Sequence, residues 1–143
     1  MTRFQKWLLL GSSLATGVTG LLYWWMTHMM EPVTEWAAIN HPLQPWVLKA
    51  HILAAPVLVF AAGLIASDHI ARHLKKARSP GRWSGMTTLW LLAPMVLSGY
   101  LIQTITHPAG LVFLSWFHLG TGGIYLMGLG IHQWVFKRRK GSE

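Results

Sequence analysis

The sequence holds no cysteine. That absence excludes a disulfide, a thiolate zinc site, an iron–sulfur cluster and a covalently attached c-type haem, each of which needs Cys. Acidic residues are nearly as scarce, with 4 Asp and Glu in 143 residues. Charged residues of both signs make up only 11% of the chain, whereas a soluble domain carries about a quarter. A chain so short of charge cannot cover itself with a solvated surface. Its 12 Lys and Arg give a net charge of +8, yet they are clustered rather than striped along one face. This distribution speaks against a nucleic-acid binder and for an all-α integral membrane protein of one domain over residues 1–143.

Apolar sequence is what the chain has in quantity, at 52% of residues. Four windows are long and apolar enough to cross a bilayer, at about 7–28, 46–69, 86–106 and 111–136, since crossing takes roughly 20 residues. The connections are short, which predicts antiparallel neighbours in a four-transmembrane-helix bundle. A signal peptide with Arg3 and Lys6 as its basic region is the competing reading of the first window. Its apolar run continues through Leu21, Leu22, Tyr23, Trp24 and Trp25 with no clear small-x-small cleavage site.

The basic residues predict the orientation. Arg3 and Lys6 precede the first window, Arg72, Lys75, Lys76, Arg78 and Arg82 separate the second from the third, and Lys137, Arg138, Arg139 and Lys140 follow the fourth. With four crossings all of these share one side and Lys49 alone lies opposite. By the positive-inside rule both termini are cytoplasmic, with the basic clusters against anionic lipid. Seven Trp (Trp7, Trp24, Trp25, Trp46, Trp83, Trp116 and Trp134) lie near window ends, where indoles favour the headgroup region. No internal repeat is evident along the chain.

Imidazole is costly to bury in hydrocarbon unless paired or ligated, so intramembrane His is a functional hypothesis. Of the 8 His, the second window carries His51 and His69, and the fourth carries His118 and His132. At about 100° per residue, the 18-residue step from His51 to His69 closes five turns. The 14-residue step from His118 to His132 returns within about 40°. The pairs are separated by roughly 27 Å and 21 Å along their helices. This predicts His51 opposite His118 at the outer depth and His69 opposite His132 at the inner one, the donor pattern of two stacked bis-imidazole haems. The difference in spacing is absorbed by tilt, by a bend at Pro56 or by His69 lying past the helix end; His73 is the poorer alternative. Small residues offer room for flat rings: Ala54, Ala55, Ala62 and Ala66, then Gly120, Gly122, Gly123, Gly128 and Gly130, with Gly11, Gly17 and Gly20 on the first helix. Packing, a proton relay or another metal site would also use such residues.

The 14-residue step in Trp116-Phe117-His118 through Ile131-His132 resembles the last helix of dihaem cytochrome b membrane subunits. Among these are the gamma subunits of formate dehydrogenase and nickel–iron hydrogenase and the bacterial cytochrome b561 type. Lys49-Ala50-His51, the step to Asp68-His69, and Ser98-Gly99-Tyr100 resemble small four-helix bacterial proteins related to the DUF4405 cytochrome b-like class. The resemblance covers residues 46 to 135. It departs from the hydrogenase type in one respect: those subunits take a further haem ligand from the first helix, where this chain offers only His28.

The resemblance implies two non-covalent haem b groups with His51, His69, His118 and His132 as axial ligands. It also implies transmembrane electron transfer between the quinone pool and a periplasmic redox partner such as a c-type cytochrome. The chain would then be a subunit of a hetero-oligomeric complex in the bacterial inner membrane. Lys49 near the outer haem, and Arg72 and Arg82 near the inner one, are candidate propionate partners, or else snorkelling interfacial cations. Quinol oxidation would need an outer proton acceptor, for which Glu31, Glu35, His41 and His107 are candidates, while Tyr125 is placed to pack between the haems. No nucleotide loop, hydrolytic triad or intramembrane carboxylate pair is present. The alternatives are a His-lined metal-ion or proton transporter, against which the lack of a repeat weighs, and a pigment-binding or assembly protein.

Overall fold

The computed structural model describes residues 2–32, 34–66 and 82–140, with side chains over 2–32, 34–66 and 86–134. It contains four helices: α1 (Arg3–His28), α2 (Gln44–Ile65), α3 (Arg82–Thr104) and α4 (Pro108–Lys140). No strand occurs among the described residues. The chain divides into two compact units, Met1–Ile65 and Ala66–Glu143. Each is a helical hairpin, α1 on α2 in the first and α3 on α4 in the second.

Local chemistry extends the helices beyond the apolar windows. The α1 start lies four residues before Trp7 because Thr2 and Gln5 form a capping box. The Gln5 amide donates to Thr2 Oγ1 (3.2 Å) and the Thr2 amide donates to Gln5 Oε1 (2.9 Å). The α4 start falls at Pro108, whose fixed φ suits the first helical position. The amide of Leu111 donates to His107 O at 3.0 Å. The described part of α2 ends at Ile65, so the expected end at residue 69 lies outside the described residues. Both α2 and α3 run unbroken through a proline, Pro56 and Pro94.

Between α1 and α2, Asn40 closes the turn. Its Nδ2 donates to Thr27 O (3.0 Å) and Met30 O (2.8 Å), while its amide donates to Gln44 Oε1 (2.9 Å). Gln44 Nε2 donates in turn to Thr27 Oγ1 at 3.2 Å. These bonds supply acceptors and donors that a helix end otherwise leaves unmet.

Burial is inverted relative to a water-soluble fold. Polar Gln5, Ser12, Ser13, Thr16, Gln44, Thr88 and Ser98 are buried, whereas Trp7, Leu14, Phe60, Trp90, Phe113 and Met127 are exposed. Three helical stretches, Gln44–Ile65, Met86–Thr104 and Pro108–Trp134, are long and apolar enough to cross a membrane, and at most 22% of any such window is buried. A surface of this kind suits lipid, where apolar groups face outward and small or polar side chains join helix to helix. The fourth expected crossing, α1, has the length at 26 residues. The hydroxyls and glycines of its packing stripe dilute its hydropathy, and it stands apart from those three.

That stripe is Ser12, Thr16 and Gly20, one residue per turn, an arrangement that lets helices approach closely. Each hydroxyl is bonded back along its own helix: Ser12 Oγ to Leu8 O (2.7 Å), Thr16 Oγ1 to Ser12 O (2.7 Å) and Thr19 Oγ1 to Ala15 O (2.6 Å). The hydroxyls are therefore satisfied without water. On α2 the buried apolar residues are Leu58, Ala61, Ala62 and Ile65. In the second hairpin the buried set is Thr88, Leu92 and Ser98 on α3 with Tyr125 and Leu129 on α4.

Adjacent positions on α1 test this arrangement. Ser13 is buried, at 2% exposure. Ser13→Leu is expected to lower the thermal midpoint in detergent through an overpacking cost of about 1–3 kcal/mol. Leu14→Ala removes a side chain that is 66% exposed, and is expected to leave the midpoint nearly unchanged.

Candidate functional site

His51 lies seven residues after the start of α2 and is half-buried, against the middle of α1. Its Nδ1 is 2.9 Å from Thr16 O and 3.2 Å from Thr19 Oγ1. A carbonyl only accepts, and the Thr19 hydroxyl sends its own proton to Ala15 O. Both neighbours therefore accept from Nδ1–H, which in the neutral ring places the lone pair on Nε2. The ring can come this close because residue 20 is glycine: a Cβ there would stand 2.9 Å from His51 Cε1 and 3.2 Å from Nδ1.

His118, on α4, repeats these contacts against α3. Its Nδ1 is 2.9 Å from Met95 O and 3.2 Å from Ser98 Oγ. The Ser98 hydroxyl donates to Met95 O at 2.9 Å, so the proton of this pair again sits on Nδ1. A Cβ at Gly99 would stand 3.0 Å from His118 Cε1 and 3.4 Å from Nδ1.

The match is one of register. In each hairpin the carbonyl comes from the residue four before the glycine and the hydroxyl from the residue just before it: Thr16, Thr19, Gly20 and Met95, Ser98, Gly99. Past the histidine the pattern continues. Leu58 and Tyr125 lie seven residues on, and Ala62 and Leu129 eleven on; all four are buried. Ala55 and Gly122 are the small residues one turn after each His. The sequence reading found no repeat, and the structure corrects it. The repeat escapes a scan of residue types because Thr16 and Met95 contribute only a backbone carbonyl, and because glycine and histidine are 31 residues apart in one hairpin and 19 in the other. Thr19-Gly20 and Ser98-Gly99, each followed by a lone intramembrane His, were the signal available.

Several other side chains were singled out from the sequence. His132 is half-buried on α4, fourteen residues after His118, with Tyr125 buried on the same face. Tyr125 thus packs within the hairpin. Its counterpart in the first hairpin, fourteen residues after His51, is Ile65. His69, His73 and Arg72 lie outside the described residues, and Arg82 opens α3 with its side chain outside them. Lys49 is exposed, and its Nζ sits 4.6 Å over the Trp46 ring centroid, a cation–π contact that suits an interfacial lysine.

The small residues read as clearance divide into two groups. Gly20 receives His51, Gly122 faces Met95 Sδ (3.6 Å for an added Cβ) and Gly128 faces Thr88 Oγ1 (3.1 Å). At Gly11, Gly120, Gly123 and Gly130 an added Cβ meets no described atom within 4 Å. Glu31 and Glu35 are exposed in the connection between α1 and α2. His41 Nδ1 accepts from the Leu43 amide (3.1 Å), His107 Nδ1 from the Gly110 amide (3.4 Å), and His28 stacks on Trp24. Those three rings cap turns and helix ends.

Imidazoles held in this way suit iron ligation. A metal-bound His characteristically donates its other ring N–H to a carbonyl, which fixes the tautomer and strengthens the donor nitrogen. His51 and His118 both meet that requirement. Among the described residues no group of three or more His, Asp or Glu gathers as a site for a bare metal ion.

Because the two contacts match, His51→Ala and His118→Ala are expected to destabilise the purified protein to similar extents, on the order of 1–3 kcal/mol each. Denaturation midpoints in one detergent would check this, and a large difference would contradict the equivalence. No family model, curated protein or solved structure matches this chain.

Proposed function

We propose that this chain is a b-type cytochrome that carries electrons across a membrane, with His51 and His118 as haem-iron ligands. The observation that carries this reading is the repeated bond from imidazole Nδ1 to a backbone carbonyl, at 2.9 Å in both hairpins. A haem, when bound, supplies a one-electron iron couple whose potential follows its axial ligands, their hydrogen bonds and burial. The residues of this chain orient those ligands. Thr16 O and Met95 O take the ring proton, Thr19 and Ser98 add a second acceptor, and the exposed apolar helix faces keep water away when lipid surrounds them. His132, with His69, is the proposed second ligand pair, giving two haem b groups.

Further parts of the reading follow from this one. Eleven basic residues, which four crossings would bring to one side, favour cytoplasmic termini by the positive-inside rule, and a bacterial inner membrane is the proposed setting. Lys49, Arg72 and Arg82 are proposed propionate partners. Quinone and a periplasmic redox protein such as a c-type cytochrome are the proposed donor and acceptor, within a larger complex. The hairpin repeat favours a second reading, a His-lined metal-ion or proton transporter, since transporters are commonly built from internal repeats. Among the described residues no helix is broken as transporter helices often are, α2 and α3 running unbroken through their prolines.

Purified protein is expected to give a b-type reduced-minus-oxidised spectrum, with haem released by acidified solvent because no Cys can tether it. His51→Ala and His118→Ala are each expected to lose at least one haem. A colourless, folded protein that moves protons or metal ions in liposomes would replace the first reading with the second. For topology, a reporter fused after Glu143 is expected to be active only as a cytoplasmic fusion.

A further inference from the structure

The contacts around the two histidines go further than ligand identity. We propose that Thr19 with Gly20, and Ser98 with Gly99, are two copies of one positioning device. It locks His51 and His118 in the Nδ1–H tautomer and makes Nε2 the atom offered to an iron–tetrapyrrole centre. This deepens the haem reading and rests on it for the identity of the ligand, but not for the tautomer.

Two independent constraints act on each ring. One is steric. At Gly20 an added Cβ would stand 2.9 Å from His51 Cε1, closer than real Cβ atoms approach, and at Gly99 3.0 Å from His118 Cε1, a contact tighter than nearly all real ones. The ring edge therefore occupies the space a side chain would fill, and any other residue must push it out. The second is electronic. Nδ1 faces two oxygens at 2.9 and 3.2 Å in each hairpin. The hydroxyl oxygens have committed their protons to Ala15 O and Met95 O, so neither can donate back. The opposite tautomer would aim a ring lone pair at two acceptors, which is repulsive. The glycine sets how near the ring comes, and the hydroxyl and carbonyl set which nitrogen keeps the proton.

The glycines are specific in this. Gly122 and Gly128 also lie in a helix interface, but they meet Met95 and Thr88. Among the described glycines, Gly20 and Gly99, which follow a hydroxyl residue and lie four residues after the accepting carbonyl, are the two at which an added Cβ would come within 3.5 Å of an imidazole. That this recurs in hairpins with unlike connections makes the two rings functional equivalents.

The test reads ring-nitrogen NMR signals of the full-length chain in detergent with 15N-labelled histidine, assigned through His51→Gln and His118→Gln. Both rings are expected to show a protonated Nδ1 and a lone-pair or metal-bound Nε2. Gly20→Ala is expected to shift the His51 signals and Gly99→Ala the His118 signals, while Gly11→Ala and Gly120→Ala move neither. If a glycine variant fails to fold, Thr19→Val and Ser98→Ala leave the space open and remove one acceptor, so the Nδ1 proton is expected to exchange faster at the altered hairpin only. An Nε2–H tautomer, or unmoved rings in all four variants, would overturn the proposal. A colourless protein with the Nδ1–H tautomer supports the device while removing haem as its ligand. In a haem-loaded protein, Gly20→Ala and Gly99→Ala are expected to shift the midpoint potential in the same direction.

Discussion

Each hairpin is organised around one imidazole seated on a glycine, its proton given to a carbonyl of the neighbouring helix. In the first hairpin this bond joins His51 to Thr16 O, in the second His118 to Met95 O. A backbone carbonyl inside a helix is already engaged, and reaching it from another helix requires the two backbones to come close. Glycine at the contact permits that. The rest of the interface follows from the close approach: small residues flank it at Thr16, Ala55 and Gly122, and bulk returns one turn further at Leu58 and Tyr125.

The same polar economy explains why hydroxyls and amides share the buried interfaces with apolar side chains while Trp7, Trp25 and Trp90 face outward. In a lipid setting, apolar burial does not drive one helix against another, and packing and hydrogen bonds take over. An unmet polar group there costs several kcal/mol, so Ser12, Thr16, Thr19 and Ser98 each return their proton to a carbonyl of their own helix. That solution fixes which way the oxygen lone pairs point. At Thr19 and Ser98 they point at histidine, so an adaptation to the absence of water also orients an imidazole.

Much of the fold was legible along the chain. Windows of apolar residues gave the helices to within a few positions, because crossing length is set by membrane thickness. Their ends were not, since a capping box at Thr2 and Gln5 and a proline at residue 108 act locally and without hydropathy. Of the site, His51 and His118 stood out because imidazole is rare and costly in an apolar helix. The stripe of small residues was visible too, but its use was not: Gly20 reads the same in sequence whether it faces a ring, a helix or lipid.

By itself, then, the sequence determined the helical class, the candidate crossings, the histidines and the exclusion of every Cys-based cofactor, because composition and period are properties of a single segment. Only the tertiary structure decided that the four helices form two hairpins with one shared register. It alone revealed that the two histidines make matching contacts, each through Nδ1 to a carbonyl and a hydroxyl of the facing helix. Those facts depend on what stands opposite a side chain: a carbonyl four residues before a glycine, on a helix 19 or 31 residues away. No pattern within either segment specifies that distance, because the length of the connection is free while the contact is not.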